Sequence, residues 1–299
     1  SIGERIHFIN IVYKPCLNSS HFFIIFSSSM YMNACDLNIY PVMADPDRPN
    51  YREVHENLLS PPFRVAIVGA SKSGKSNYLM NYFRKDFYGG CEESNIEPCF
   101  NKVYVFSPNL GLDSTTRHIK DIAGEDNIHQ TYSNHMIDTI IQRQKDLGDL
   151  RERVLIIADD LIALGCSPMA RLFTSSTYLR HLDCSIIYLT QSYQSHNSLP
   201  PIVKNNLEGM IMFRNPSAKQ IKSFCDDLQG TFGTSKNVKN ILDYSTQKPY
   251  HFAYFNYRDL QAYHNHTEFL WEKYDENGNF MPDFNYKNIN NNIEENVDV

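Results

Sequence analysis

Runs of apolar residues, each stopped by a polar or acidic one, recur along the middle of the chain and alternate with stretches whose apolar residues fall three or four apart. The first run, "FRVAIV" (Phe63 to Val68), predicts a buried strand, and "NYLMNYF" from Asn77 continues as a helix. "KVYVFSPN" (Lys102 to Asn109) is a β-branched and aromatic run stopped by Ser-Pro-Asn, the pattern of a second buried strand. "MIDTIIQRQKDL" sets Met136, Ile137, Ile140, Ile141 and Leu147 on one helical face, as a crossover helix requires. "RVLIIADD" (Arg153 to Asp160) has the form of a central parallel strand whose carboxylates emerge at its C-terminal end. "SPMARLF" puts Ser167 at an N-cap and Pro168 at the first helical position, predicting a helix to about His181. "CSIIYLTQSY" (Cys184 to Tyr193) is another strand, ending in Thr190 and Gln191. "EGMIMFRN" (Glu208 to Asn215) follows. An amphipathic segment then carries Ala218, Ile221, Phe224, Cys225 and Leu228, and "YHFAYFNY" (Tyr250 to Tyr257) closes the series.

Strands that alternate with helices predict an α/β fold. Its mainly parallel sheet is flanked by helices, with right-handed crossovers and ligands at the strand C-termini. Between the first strand and its helix lies "GASKSGKS", a G-x-x-x-x-G-K-S spacing in the strand, loop and helix context that a phosphate-binding loop needs. The backbone N–H groups around Gly69, Ala70, Ser71, Lys72, Ser73, Gly74, Lys75 and Ser76 can close on a phosphate where the helix dipole favours negative charge. Lys75 would reach the β- and γ-phosphates and Ser76 would ligate Mg²⁺. A Gly/Ser turn alone would leave the Lys-Ser pair unexplained.

Asp159 is placed as the carboxylate that holds Mg²⁺, directly or through water. Asp160, one step further, can orient or deprotonate a water for in-line attack, which is hydrolysis. By themselves the two acids could also be an N-cap at a strand-to-helix turn. Gln191, at the next strand end, could contact the γ-phosphate or the attacking water. Arg180 precedes that strand and is a candidate arginine finger for a neighbouring subunit, with Arg171 and Arg214 as rivals. No N-K-x-D guanine signature occurs late in the chain, so ATP is the expected nucleotide. A small-molecule kinase is the alternative enzyme, with "RQKDLGDLRER" (Arg143 to Arg153) as a basic lid, although a solvated helix end explains that segment as well. A non-hydrolysing, nucleotide-gated binding module is the alternative outside enzymes.

Composition narrows the picture further. The 299 residues are 42% hydrophobic and 21% charged, ordinary for a packed globular protein. Net charge is −6, of which Lys273 to Val299 supplies −4, so no bulk basic charge advertises nucleic acid and any DNA contact must be local. Seven scattered cysteines without a C-x-x-C pair support neither a zinc site nor a disulfide framework and fit a reducing compartment. The run "FFIIF" (Phe22 to Phe26) is far too short to span a membrane. Composition shifts at Met43, so residues 1–42 read as an appendage or translated upstream sequence, or as a β-prone piece that packs on the core. Residues 43–272 are the expected nucleotide-binding domain. Residues 273–299 form an acidic, Asn-rich tail expected to be disordered.

With these residues in view, the chain resembles the viral genome-packaging ATPases of the FtsK/HerA superfamily, found in poxviruses, other large DNA viruses, virophages and Maverick-type transposons. "VGASKSGKS", "VYVFSPN", "LIIADDL" and above all "YLRHLDCSIIYLTQSYQSHNSLPPIVKNN" (Tyr178 to Asn206) carry the likeness, which covers about residues 60 to 257. It implies a P-loop NTPase of the RecA/ASCE type and an ATP-driven ring that moves double-stranded DNA into a capsid. It also implies residence in the host cytoplasm, a viral factory or the virion. Carried over by position, Lys75 and Ser76 bind phosphate and Mg²⁺, Asp159 the metal, Asp160 is the catalytic carboxylate and Gln191 the sensor. Many relatives in the wider superfamily have Glu where Asp160 stands, and Lys204 replaces the usual Arg of the element after the sensor. DNA contact would be to phosphates and sequence-independent, with Thr174 to Tyr178 and Gln191 to Ser198 as candidate segments.

Overall fold

Successive residues of a strand face opposite sides of a sheet, and in β1 (Arg64–Val68) every residue is buried, so both faces of this strand must be covered. In the computed structural model, which describes residues 51–108, 114–160, 169–194 and 199–284, they are. All of these residues belong to one unit, Pro46–Val299. The expectations for residues 1–42, for the helix start at Ser167 and Pro168, for Ser195 to Ser198 and for the end of the tail from Asn285 lie outside the described residues.

The elements follow in the order β1, α1 (Lys75–Asn81), β2 (Lys102–Phe106), α2 (Ser114–Ala123), β3 (Ile128–His129), α3 (Asn134–Leu147), β4 (Val154–Asp159) and α4 (Ala170–Ser175). Then come β5 (Cys184–Thr190), α5 (Pro201–Lys204), β6 (Gly209–Phe213), α6 (Ala218–Leu228), α7 (Ser235–Ser245), β7 (Phe252–Asn256), β8 (Gln261–His264) and β9 (Glu268–Glu272). They build a nine-stranded sheet in the order β3-β2-β4-β5-β1-β6-β7-β8-β9. Pairing is parallel from β3 to β6 and antiparallel from β6 to β9. The sheet is thus mainly parallel and flanked by helices, as expected. The run Tyr250 to Tyr257 does not close the series, because β8 and β9 extend the sheet beyond it.

Two apolar layers sandwich the sheet. On one face Val65, Ile67, Ile157 and Leu189 pack with Tyr78, Leu79 and Ile119 of α1 and α2. On the other face Ala66, Val68, Ile156 and Ile186 pack with Ile137, Leu172, Phe224 and Ile241 of α3, α4, α6 and α7. Aliphatic side chains on both faces explain why these strands read as continuous apolar runs. The centre of each predicted helix face is buried, Ile137, Ile140 and Ile141 in α3 and Phe224, Cys225 and Leu228 in α6, while Met136, Leu147 and Ile221 are half-buried and Ala218, at the start of α6, is exposed.

The helix expected to run to His181 breaks after Ser175. There Thr174 Oγ1 donates to the Ala170 carbonyl (2.8 Å), Ser176 Oγ to that of Phe173 (2.7 Å) and Thr177 Oγ1 to that of Thr174 (2.9 Å). Such back-bonding competes with the helical ladder. A 3₁₀ turn at Leu179–Leu182 then delivers the chain into β5.

The N-terminal ends of β1 and β6 are clamped by a buried ion pair. Glu208 Oε2 accepts from Arg64 N (3.0 Å) and Nε (3.4 Å), and its Oε1 accepts from Arg258 Nη2 (3.0 Å). Arg64 also donates to the Ser176 carbonyl at 3.2 Å. The Arg64 side chain is 5% exposed and that of Arg258 is 37% exposed. Removing the shared carboxylate strands a buried guanidinium, so Glu208→Ala is expected to lower unfolding stability by about 3 kcal/mol. Arg258→Ala should cost less than about 1 kcal/mol, as exposed ion pairs do. Urea denaturation of both variants checks the order, and equal losses would contradict it.

Candidate nucleotide-binding site

The site is assembled by strand ends that the pairing register holds level. Val68, the last residue of β1, pairs with Thr190 of β5. Asp159, the last of β4, pairs with Leu189, and Phe106 of β2 pairs with Ala158. The loop from Gly69, the Asp159-Asp160 pair and Gln191 therefore leave the same edge of the sheet, with β5 between the loop strand and the carboxylate strand.

The loop turns back on itself tightly. A Cβ on Gly69 would lie 2.5 Å from Ser73 Oγ and 2.7 Å from Phe213 Cβ, so only glycine fits there. Lys72 and Gly74 adopt φ of 63° and 109°, the left-handed region that glycine enters without cost and lysine does not. Gly74 is the N-cap of α1 and has no side-chain capping bond. Ser73 Oγ is buried with no hydrogen-bond partner among the described residues. The Lys75 side chain folds back into the loop, where Nζ donates to the carbonyls of Gly69 (2.8 Å) and Ala70 (3.1 Å). Burial lowers the pKa of Lys75 below that of a free lysine, and Asp160 and Asp159 oppose the shift. A buried cation held by carbonyl dipoles beside an orphaned hydroxyl suits a phosphate group, which would satisfy both. Ser76 is half-buried in the first turn of α1.

The acids differ in their surroundings. Asp159 Oδ2 accepts from Ser107 Oγ at 2.7 Å. Ser107 is 1% exposed at the end of β2. Asp160 has left the strand with φ 50°, its N–H donates to the Leu189 carbonyl at 3.2 Å, and its Oδ2 accepts from Gln191 Nε2 at 3.0 Å. Gln191 is itself exposed, and through this bond it holds the carboxylate expected to orient water. Sequence reasoning missed Ser107. The Ser-Pro-Asn that ended the second strand was its only trace.

The three candidate arginines lie apart. Arg180 is exposed in the turn ahead of β5, at the opposite edge of the sheet, outside its own chain's site. Arg171 is paired with Asp138 of α3. Arg214 follows β6, is exposed, and lines a pocket with the outer side of the loop. The basic segment from Arg143 to Arg153 precedes β4 at the edge away from the loop and is engaged with Glu152, Asp183 and Glu97. It is not a lid over this site. Of the candidate DNA segments, Thr174 to Tyr178 lies near the N-terminal end of β1, where Arg64 bonds Ser176, and Gln191 lies at the opposite edge. Lys204 sits 3.8 Å over the Tyr193 ring and 3.5 Å from Asp227, whose Oδ2 also accepts from Tyr193 OH at 2.8 Å. It locks the chain after β5 onto α6 and lies away from the loop. Among the described residues no helix is long and apolar enough to cross a membrane.

The chain is 29% identical over 199 residues to a DNA packaging protein, OPG160, of Variola virus, covering 64% of this chain and 66% of that protein. It is 28% identical over 197 residues to the protein of the same name in Vaccinia virus (strain Copenhagen), covering 63% and 66%. The match therefore leaves about a third of each relative's length unspanned. Among solved structures it is similar to B204, the DNA-packaging ATPase of Sulfolobus turreted icosahedral virus, with a TM-score of 0.48, 15% identity, and coverage of 69% of this chain and 98% of that one. The family model described as Poxvirus A32 protein matches residues 51–214, more than half the chain and the whole stretch from the approach to β1 through the loop, both acids and Gln191, and the chain belongs to that family.

Proposed function

We propose that the chain is an ATP-hydrolysing motor that works as a ring and drives double-stranded viral DNA into a capsid. The observation that carries this reading is the convergence of the phosphate loop, two carboxylates and a glutamine on one sheet edge, with the glutamine hydrogen-bonded to the second carboxylate at 3.0 Å. The relatives named as DNA packaging proteins support the coupling to DNA. Residence in a viral factory or the virion follows from that coupling.

In this mechanism the loop amides and the α1 terminus take the phosphates. Lys75 Nζ exchanges the carbonyls of Gly69 and Ala70 for phosphate oxygens, trading dipoles for full negative charge. Ser76 and Asp159 are the residues that would hold Mg²⁺, which supplies charge neutralisation on the phosphates. Ser107 fixes the Asp159 carboxylate for that task. Asp160 orients the attacking water and accepts its proton, and Gln191 holds the Asp160 side chain until the γ-phosphate competes for the amide. Arg180, on the far edge of the sheet, would act as a finger in a neighbour's site within the ring. Arg214, next to the loop, is its rival within one chain.

Phosphate release from ATP by the full chain, with and without duplex DNA, tests the proposal. Duplex DNA should stimulate release, and Lys75→Ala and Asp160→Asn should each reduce it by about 10²-fold or more, the scale of lost charge stabilisation or general-base catalysis. ATP binding without turnover, with DNA present, would favour a gated binding module. Transfer of phosphate to a metabolite would favour a kinase. Ser107→Ala is expected to raise the Mg²⁺ concentration giving half-maximal release by about 10-fold, the usual effect of losing an outer-shell partner. An unchanged Mg²⁺ dependence would remove Ser107 from the site.

A further inference from the structure

Beside the loop, on the side away from the carboxylates, lies a pocket of about 320 Å³. The outer side of Ala70 to Ser73, Arg214 and Pro216 after β6, and Pro249, Tyr250 and His251 ahead of β7 line it. Because β7 is antiparallel to β6 and Phe252 pairs with Phe213, the chain entering β7 returns to the edge occupied by the loop. Strand order then fixes the direction of anything held across that edge. The carboxylates stand at β4, the loop at β1 and the pocket at β6 and β7. With strands about 4.8 Å apart, the three intervals from β4 to β6 span about 14 Å. A nucleoside triphosphate whose last phosphate meets Asp160 has to extend its base over β6 and β7.

Tyr250 is built in an unusual way for an aromatic residue. It is 70% exposed and has φ 67°, a left-handed conformation that is costly for a bulky side chain and clusters at ligand clamps. Its ring lies against the start of α1, where a Cβ on Gly74 would be 3.1 Å from Tyr250 Cδ1. His251 next to it is oriented by a hydrogen-bond relay. Asn265 Oδ1 accepts from the Phe252 N–H at 3.0 Å, which leaves Asn265 Nδ2 to donate into His251 Nδ1 at 3.0 Å. His264 Nε2 lies 2.7 Å from the same Nδ1. His264 Nδ1 lies 2.8 Å from Glu268 Oε2, and Tyr244 OH donates to the other Glu268 oxygen (2.6 Å). The Asn265 amide, oriented by Phe252 N–H, thus sets the His251 tautomer with Nδ1 as acceptor and Nε2–H as the donor left over. Partial burial and the neighbouring His264 lower the His251 pKa, in keeping with a neutral ring.

We propose that this pocket takes the planar base of the bound nucleotide, Tyr250 stacking on its face and His251 Nε2–H donating to an acceptor on its edge. The assignment rests on the loop being the cradle of that nucleotide's phosphates. Two ligands separate the two claims: ATP, which has a base, and inorganic tripolyphosphate, which has none. Calorimetric titration of the full chain and of Tyr250→Ala, Tyr250→Phe and Lys75→Ala reads both. Tyr250→Ala should weaken ATP binding about 10-fold, the lower part of the range for base–aromatic stacking, and leave tripolyphosphate within about twofold. Tyr250→Phe should retain ATP affinity within about twofold, and Lys75→Ala should lose both ligands. Unchanged ATP affinity in Tyr250→Ala, or equal weakening of both ligands, would overturn the base site. If the parent chain binds tripolyphosphate as tightly as ATP, the base site falls and the phosphate cradle stands. If it binds neither, the cradle falls and takes the base site with it.

Discussion

Parallel pairing of β1, β5 and β4 is the constraint on which the site depends. Val68 and Thr190 end their strands opposite each other and Asp159 ends β4 one residue earlier, opposite Leu189, so three chains turn off the sheet within one residue of the same level: the loop after Val68, Gln191 after Thr190 and Asp160 after Asp159. A slip of one residue would turn every side chain of a strand to the opposite face. Full burial on both faces forbids such a slip, since Ala66 and Val68 fill one layer and Val65 and Ile67 the other. Placement of the polar groups is thus a consequence of apolar packing several residues away. The Arg64–Glu208 pair secures the other end of the same ladder.

Within that frame, the buried ammonium of Lys75 determines what the loop can accept. Burial disfavours its charge, and the carboxylates of Asp160 and Asp159 restore part of it. Its pKa is lowered, so the positive charge is lost as pH rises at a lower pH than for a free lysine. A bound phosphate moves the pKa back up, which by linkage means that protonated Lys75 and phosphate favour each other. The two loop carbonyls hold the ammonium in place.

The parallel half of the sheet and the loop were legible because they depend on local signals: apolar runs, a glycine spacing, and acids at a strand end. Helix α7 carries a readable local signal as well, with Thr234 as N-cap and Val238, Ile241, Leu242 and Ser245 on one face. Strands β8 and β9 are four and five residues long and interleave polar residues, too short a pattern to separate from loop. The break in the helix after Ser175 depends on hydroxyls that return to their own carbonyls, which composition suggests and periodicity conceals. Ser107 could not be found from sequence, because its partner Asp159 is 52 residues away and meets it only through the β2–β4 pairing. Nor could the pocket beside the loop, since it needs the antiparallel return of β7.

On the proposed reading, the loop lysine, Ser76 and the carboxylates would bind Mg²⁺·ATP in a defined ratio. The most direct measurement is calorimetric titration of the full chain with ATP, in Mg²⁺ and again with Mg²⁺ chelated. The account requires saturable binding of one ATP per chain, clearly weaker once Mg²⁺ is removed. Heat that never saturates, or an affinity indifferent to Mg²⁺, would contradict the roles given to Lys75, Ser76 and Asp159.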